Sequence, residues 1–217
     1  MTDRTRVQRL PERGVYGLDE IRKVLDSNFV CHVAYVADHG PVVLPTLYAV
    51  EGDTMYLHGS TGSHMLRTLK GGAPVCVAVT NVDGIVAARS VFHHSINYRS
   101  VVVFGNAVEV TDVEEKLNAL RVMTNHMLPG RWDEARRPST AEFTQTAALK
   151  LPINESSAKV RTGWPKDDAE DLGLPVWAGV LPFGRSLGVP LADPALPDGV
   201  AISDPVRAAV EKWRTET

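Results

Sequence analysis

The sequence has little cysteine, no long apolar run and no excess of basic charge. Its two cysteines, Cys31 and Cys76, lie in apolar, strand-like segments and lack the spacing of a metal site. We therefore expect both to be buried free thiols, and we place the chain in a reducing cytoplasm. No apolar run is long enough to span a membrane and the first residues lead into no signal-peptide core, so no membrane partner is expected.

The charge balance is nearly even, with 23 Lys and Arg residues against 26 Asp and Glu residues and a formal net charge of −3. No block of basic residues stands out, so a nucleic-acid partner is not expected. Because there is no internal repeat and no clear linker, we predict a single domain over residues 1–217. Residues 1–13 are predicted to be a loose N-terminal arm, of a kind that can also wrap a partner, and residues 186–217 a C-terminal extension.

Short β-rich segments separated by turn residues dominate the first half of the chain. An amphipathic helix is predicted at about 17–27. Strands are predicted at 29–36, 41–50, 54–57, 75–80, 85–92 and 100–111, and later ones at 148–153, 157–161 and 174–181. A turn that ends at Gly84 is predicted over residues 81–84. Tight turns join the first three strands, which makes them an antiparallel meander. Six strands in the first half, few helices and no βαβ rhythm predict a mainly β fold, a closed or nearly closed antiparallel barrel with peripheral helices.

Three later helices have clear start signals. Thr111-Asp-Val-Glu114 is a capping-box sequence ahead of a helical stripe that runs to about Leu128. Ser139 is the predicted start of a second helix, and Asp204-Pro205 opens a third, with proline near its favoured first position. The adjacent Arg136 and Arg137 are interpreted as a solvated face.

The turn after the third strand has the groups that an anion needs. Gly59 and Gly62 let the backbone approach a ligand closely. Ser60 and Ser63 offer hydroxyls, and Ser63 suits the N-cap of the helix that follows. Arg67 lies one turn further on the same side of that helix. The Gly-Lys-Ser/Thr ending of a P-loop is missing. These residues fit both a phosphate site and an ordinary capped helix.

Several short segments, in this order, resemble one known family. They are Tyr56-Leu-His-Gly-Ser60, Ser63-His-Met-Leu-Arg67, Asn97-Tyr-Arg-Ser-Val101 and Phe104-Gly105. Together they are similar to the pyridoxamine 5'-phosphate oxidase-like flavoproteins, and more closely to the nitroimidazole-reductase-like branch. The likeness covers roughly residues 15–185. It implies an FMN-binding split β-barrel, six-stranded and antiparallel with a Greek-key-like order. It also implies a homodimer with FMN in the cleft between the two subunits.

The resemblance gives the β-to-helix turn the role of holding the FMN phosphate. Ser63 and Arg67 are the first candidates for that role, and His64 and Ser60 come next, beside the backbone of Gly59. This implication agrees with the anion-binding groups already noted in the turn, so both lines favour a phosphate site there.

Two further strands resemble those that flank the flavin ring. Pro45 and Thr46 match the strand whose backbone lies along the isoalloxazine. His58 ends the strand beside that ring, where a neutral imidazole can hydrogen-bond the flavin or the substrate, and it is the candidate catalytic residue; a structural histidine is the alternative. Tyr98 and Ser100 match the strand that approaches the flavin, in part from the partner subunit.

Asn97 is a secondary candidate on that last strand. Arg99 and Ser100 point to opposite faces, so only one of them is expected to contact a given flavin, and Ser100 is favoured. Trp177 resembles a late-strand tryptophan that packs near FMN, and a buried core tryptophan is the alternative for it.

The sequence also departs from the oxidase itself. His64-Met65 stands where the oxidase has a paired Arg-Lys, and Gly179–Ser186 replaces its Arg-x-His for the pyridoxal substrate. Oxidation of pyridoxamine phosphate is therefore not expected. His93 and His94 face opposite ways if they lie on a strand and have no third ligand, so no metal site is expected.

The predicted function is that of an FMN-dependent oxidoreductase. It would pass a hydride or electrons between a nicotinamide-type donor, the FMN and a small-molecule acceptor, for which a nitro-compound is one candidate. The alternative is a non-catalytic protein that binds or stores a flavin, a deazaflavin or a haem.

Overall fold

The computed structural model describes residues 1–214, and most of its regular structure is β-sheet. The strands are β1 (Gly14–Val15), β2 (Val30–Ala37), β3 (Gly40–Glu51), β4 (Thr54–Ser60), β5 (Pro74–Ala87), β6 (Ser95–Asn106), β7 (Val108–Glu109), β8 (Thr146–Pro152), β9 (Ser156–Arg161) and β10 (Gly179–Pro182). The helices are α1 (Leu18–Asp26), α2 (His64–Lys70), α3 (Val113–Met127), α4 (Arg131–Glu134), α5 (Thr140–Gln145) and α6 (Asp204–Lys212). The mainly β class predicted from the sequence is confirmed.

The ten strands join in one ladder of order β1-β9-β6-β5-β2-β3-β4-β8-β7, and β10 pairs with β5 off that path. Every pairing in the ladder is antiparallel. The meander β2-β3-β4 is the one predicted from its turns. Non-consecutive neighbours, β2 with β5 and β4 with β8, give the sheet its Greek-key-like order.

The inner face of the sheet encloses the main apolar core. Its alternate residues, together with α1 and α2, form one cluster that includes Ile21, Leu57, Leu66 and Leu149, each almost fully buried. Burying a side chain of this size stabilises the fold by roughly 1.5–3 kcal/mol. The core therefore fixes which face of each strand points inward.

A second, smaller cluster lies on the outer face. Helix α3 places Ala119 and Met123 against Tyr56 of β4 and Ala148 of β8. Because side chains alternate along a strand, His58 lies on the same face of β4 as Tyr56. The outer face of β4 is therefore partly covered where the candidate site begins.

One long strand replaces two predicted ones. We expected a turn at residues 81–84, but β5 runs without interruption from Pro74 to Ala87 and only shifts register between Val82 and Gly84. This irregularity is a β-bulge. A Cβ on Gly84 would lie 2.9 Å from the backbone oxygen of Leu181 on β10. The glycine therefore serves the close approach of another strand and not a turn.

Two element boundaries also differ from expectation. The predicted strand at 174–181 is wrong over most of its length, since β10 spans Gly179–Pro182 only. Helix α3 has Asp112 as its N-cap, and not Thr111, because the Asp112 carboxylate accepts the backbone N–H of Glu115 at 2.8 Å. The helix predicted from Ser139 is confirmed as α5, with a complete capping box between Ser139 and Glu142.

The N-terminal arm at 1–13 lies against its own chain. The Arg4 guanidinium pairs with the Glu155 carboxylate and lies 5.2 Å from the centre of the Phe104 ring. Thr5 is buried. These contacts attach the arm to β6 and to the turn before β9.

The two cysteines differ in burial. Cys31 and Cys76 are both free, as expected, but Cys31 alone is fully buried. Burial raises the pKa of the Cys31 thiol to about 12, so it stays protonated and unreactive.

Within residues 1–214, no helix is both long enough and apolar enough to cross a bilayer.

Candidate functional site

The turn between β4 and α2 is closed by its own hydroxyl groups. Ser60 Oγ accepts the backbone N–H of Gly62 at 3.2 Å, and Ser63 Oγ accepts that of Leu66 at 3.5 Å. Ser63 is the N-cap of α2, as the sequence predicts. Because a hydroxyl that accepts a bond still has its own O–H to donate, both serines can bond an anion in front of the turn.

The basic side chains of the turn face solvent. His64 and Arg67 are both exposed on α2. Within the described part of the chain, the Arg67 guanidinium forms no ion pair. On the same helix, Nζ of Lys70 lies 3.7 Å from Oε2 of Glu109. The His39 ring, on the turn between β2 and β3, lies 6.0 Å from the His64 ring. Sequence spacing gave no indication of His39, because a different hairpin brings it to this place.

Gly59 also has a role in packing within the chain. A Cβ at this position would lie 3.0 Å from Cδ1 of Leu66, and its φ is not in the left-handed region. The missing side chain therefore lets α2 pack onto the end of β4. This packing brings the N-terminus of α2 next to His58.

His58 has a buried ring nitrogen without a partner. It lies opposite Ala148 in the ladder of β4 with β8. Its Nδ1 is inaccessible to solvent and forms no hydrogen bond to the described residues. Burial lowers the pKa of His58, so the ring is neutral near pH 7. An unsatisfied buried polar atom is costly, and a ligand that bonds Nδ1 would remove that cost.

The segment of β3 that carries Pro45 and Thr46 has an open edge beside His58. β3 pairs with β2 up to Leu47, but its ladder with β4 begins only at Tyr48. Pro45 is exposed and Thr46 is half-buried. Free backbone N–H and C=O groups along such an edge are suited to the polar edge of a flat ring. Pro45, Thr46, His58 and the β4–α2 turn therefore form one continuous surface.

The candidates on β6 lie elsewhere on this chain. Ser100 is opposite Thr80 of β5 and donates to the backbone oxygen of Lys159 at 3.3 Å. Strands β5 and β2 separate β6 from β3, so three spacings of about 4.8 Å lie between Ser100 and the strand of Pro45. Tyr98 lies one step further along the same face. Within one chain, these residues do not reach the β4–α2 turn.

Asn97 has its amide group occupied by the fold. Its oxygen accepts a bond from Arg161, and its nitrogen donates to the backbone oxygen of Gly163 at 3.2 Å. The side chain is buried beside β9. We therefore interpret Asn97 as a structural residue that fixes the loop after β9.

Trp177 is neither in the core nor near the other candidates. It precedes β10, is 66 % exposed and lies against Gly179, so the core alternative is wrong. Gly179 pairs with Ala87, nine residues along β5 from the Ala78 that faces His32. At about 3.3 Å per residue, roughly 30 Å of strand separates Trp177 from the Pro45 region of its own chain.

The adjacent histidines near β6 bond to separate partners. His93 Nε2 lies 3.0 Å from an Asp168 oxygen, and His94 Nδ1 lies 2.9 Å from the backbone oxygen of Ser90. The two rings therefore do not converge. Within residues 1–214, no group of three or more His, Cys, Asp or Glu side chains is placed to hold a metal ion.

A large cavity lies beside β2 on the side of β5, away from β3, and it was not predicted from the sequence. Its volume is about 710 Å³, within the usual size range of small-molecule sites. The lining residues are Asp26, Ser27, Asn28, Phe29, Val30, His32, Thr80, Phe183, Gly184, Arg185, Ser186, Leu187, Lys212 and Trp213. No local signal could have revealed it, because β2, β5, residues 183–187 and α6 meet only in the folded chain.

The aromatic wall of this cavity is firmly held. Trp213 packs edge-on against Phe29 with ring centres 4.8 Å apart. Its Nε1–H donates to the backbone oxygen of Met127 at 2.8 Å. Lys212 donates to the backbone oxygen of His126, and its ammonium lies 4.6 Å from the centre of the Trp213 ring. Burial lowers the pKa of Lys212.

The fold is a split β-barrel of the flavin-binding type. Its defining features are the open antiparallel ladder, the exposed edge of β3 and the adjoining turn. Comparison with known families agrees, since the model of the pyridoxamine 5'-phosphate oxidase family matches residues 18–160. The chain belongs to this family, as its sequence motifs suggested. No curated protein matches its sequence significantly.

Three solved structures illustrate the similarity. The flavocytochrome Anf3 from Azotobacter vinelandii is 34% identical, with a TM-score of 0.91 over 95% of this chain and 96% of its own. The FAD and heme binding protein from Mycobacterium smegmatis is 36% identical, with a TM-score of 0.89 over 94% of this chain and 100% of its own. A candidate 5-nitroimidazole antibiotic resistance protein from Bacteroides thetaiotaomicron VPI-5482 shares the fold at 22% identity, with a TM-score of 0.58 over 68% of this chain and 86% of its own.

Proposed function

We propose that this protein is a redox protein that binds a flavin nucleotide at the β4–α2 turn and a haem in a second site. The observation that carries the flavin assignment is the buried, unpartnered Nδ1 of His58 next to the turn. In this proposal, Ser63 and Arg67 hold a phosphate, and the edge of β3 at Pro45 and Thr46 bonds the flavin ring.

FMN is the proposed flavin, because its terminal phosphate is the group that the turn is suited to hold. FAD contains the same phosphate as part of its pyrophosphate, and the M. smegmatis relative is named for FAD. Both flavins therefore belong in the test. A flavin supplies one-electron and two-electron redox chemistry, while the protein places and tunes it.

The haem assignment rests on two similar proteins and one cavity. A flavocytochrome and a protein named for FAD and heme each match at least 94% of the chain at 34–36% identity. The cavity beside β2 has aromatic walls, a histidine and two cationic side chains, which suit a flat apolar ring with carboxylate groups. The same cavity would also hold the haem if the protein were a non-catalytic binding or storage protein, which is the alternative to an oxidoreductase.

The proposed reaction is electron transfer from a nicotinamide-type donor through the flavin to a small acceptor, such as a nitro-compound or oxygen. His58 is neutral near pH 7 and so provides an uncharged hydrogen-bonding group beside the ring. Leu47 and Val122 pack on the outer-face cluster beside it and limit the access of water. A cytoplasmic location remains a prediction of this proposal.

We also propose a homodimer, with each flavin between two subunits. Val36 and Val43 are 71 % and 60 % exposed on one face of the β2–β3 hairpin. Exposed apolar side chains grouped in this way are typical of an interaction surface. A second subunit would cover them, and it could bring its own Ser100 and Trp177 to a flavin that they do not reach within one chain.

The test combines reconstitution with reduction. The purified protein is titrated separately with FMN, FAD and haem, and the loaded protein is then mixed with NADH or NADPH without oxygen. We expect one flavin and one haem per chain, bleaching of the flavin by one donor, and re-oxidation by a nitro-compound or oxygen. A bound flavin that neither donor reduces would support the storage alternative. Failure to bind any flavin would contradict the proposal.

A further inference from the structure

We propose that the cavity between β2, β5, residues 183–187 and α6 is the haem site and that His32 is the axial ligand of its iron. This inference rests on the proposed function, which names a haem but gives it no ligand. It assigns to the haem a set of residues on the side of β2 away from the β4–α2 turn.

The chemistry of the lining residues points to His32. Haem iron in proteins is commonly held by the imidazole of one histidine. Among the described residues that line the cavity, His32 is the only one with an imidazole, thiol or thioether group. Its neighbours in sequence, Cys31 and Val33, point into the core, so alternation turns His32 outward toward the cavity.

The other imidazole in this region is already committed. His126 Nε2 donates to the backbone oxygen of Asn28 at 2.8 Å, and its Nδ1 lies 3.5 Å from Nζ of Lys212. The ring also packs against Trp213 at 5.6 Å. Both nitrogens thus have partners in the fold, which leaves His32 as the ligand available to the cavity.

The charges of the cavity suit the two carboxylates of a haem. Arg185 and Lys212 contribute two cationic groups, and Asp26 contributes one carboxylate. Arg185 also donates to the side-chain oxygen of Asn81, which fixes its position on the wall. Burial lowers the pKa of Lys212, so a bound anion would stabilise the charge of its ammonium group.

The walls suit the apolar body of the ring. Phe29 and Trp213 form one rigid side, and Phe183 and Leu187 line the segment that follows β10. Phe183 and Leu187 are 54 % and 44 % exposed. A flat apolar ligand would bury part of this surface, and removing apolar area from water favours binding.

The test uses the absorption and electron paramagnetic resonance spectra of the haem-loaded protein. The variants are His32→Ala, His32→Gly, and His94→Ala as the matched control, since His94 is exposed and lies outside the cavity. We expect His32→Ala to lose the spectrum of histidine-ligated haem and to retain its flavin. Added imidazole should restore that spectrum in His32→Gly. His94→Ala should match the unchanged protein.

Three results would overturn the inference. A ligation spectrum in His32→Ala identical to that of the unchanged protein would exclude His32. Loss of flavin, and not of haem, from the His32 variants would show that the cavity belongs to the flavin. If the unchanged protein takes up flavin but no haem, the haem part of the proposed function fails together with this site, while the flavin site stands. Retained flavin in each variant shows that it is folded.

Discussion

His32 on β2 lies directly opposite Pro45 on β3 in their antiparallel ladder. Directly opposed residues share one face of a sheet, and their Cβ atoms are about 4.5–5.5 Å apart. Both side chains are exposed. His32 lines the cavity assigned to the haem, and Pro45 belongs to the edge assigned to the flavin ring. The two proposed cofactor sites are therefore neighbours across one pair of strands, which is the arrangement that direct electron transfer requires.

Replacing Arg67 with alanine should weaken flavin binding. The substitution removes a charged donor from the phosphate, which costs roughly 1.5–3 kcal/mol, or about a 10- to 150-fold increase in Kd. Fluorescence titration of the apoprotein with FMN measures this change. Lys70→Ala is the matched control, because Lys70 lies on the same helix and faces Glu109. Equal Kd values for Arg67→Ala and the control would exclude Arg67 from the phosphate site.

Stability of the apoprotein should fall as the pH drops below about 6.5. Burial lowers the pKa of His58 and of His126, so the unfolded chain takes up protons that the native state resists. The stability that the two neutral histidines contribute is fully present when the pH is above about 6.5, the pKa of histidine in the unfolded chain. It is lost as the pH falls toward the lower pKa values of the folded state. Chemical denaturation at about pH 7.5 and about pH 5.5 measures the loss.

The variants that test this pH dependence are His126→Gln and the double variant with His58→Gln. Glutamine does not titrate, and at residue 126 it can still donate to the Asn28 carbonyl. The loss on acidification should be smaller in His126→Gln and smaller again in the double variant. His94→Gln, at an exposed position, should behave as the unchanged protein. A loss of the same size in all four proteins would contradict the account.

Replacing Tyr48 with phenylalanine should destabilise the fold by about 1 kcal/mol. The Tyr48 hydroxyl is buried and donates to the backbone oxygen of Leu25, near the end of α1. Phenylalanine removes this bond, and the Leu25 oxygen then keeps only backbone N–H donors, such as that of Asn28 at 3.3 Å. Tyr35→Phe is the control, since Tyr35 is also in the core and its hydroxyl bonds to none of the described residues. Equilibrium unfolding that is equally shifted in both variants would disprove the contribution of this bond.

A lysine at Val36 should disrupt the proposed homodimer. Val36 is 71 % exposed at the tip of the β2–β3 hairpin, and a charge buried there between subunits is costly. Light scattering coupled to gel filtration should show half the molar mass of the unchanged protein. Val108→Lys, on the short edge strand β7, is the control and should remain dimeric. A monomeric unchanged protein, or a dimeric Val36→Lys, would refute the proposed interface.

The sequence predicted the features that depend on near neighbours. Ser63 caps α2 because its hydroxyl reaches an amide three residues away, and that geometry is readable from the sequence. The strands from Val30 to Ser60 follow from alternation and tight turns. Gly84 was misread as a turn residue, since its function depends on Leu181, which lies far along the chain.

Long-range placement explains the remaining differences at the site. The identity of His58 indicated a polar role, but only the packing of α2 and α3 shows that its Nδ1 is buried and unpartnered. Trp177 was assigned to a strand by its apolar neighbours, although the chain pairs with β5 only from Gly179. The cavity at His32 could not be predicted, because Trp213 and Phe183 reach it through the fold and not through any local pattern.

The most direct test of the central claim is a crystal structure of the protein loaded with flavin. We predict that the flavin phosphate lies within hydrogen-bond distance of the Ser63 hydroxyl and the Arg67 guanidinium, with the ring along β3 and a polar atom bonded to Nδ1 of His58. A flavin bound at another place, with the β4–α2 turn free of phosphate, would contradict the account.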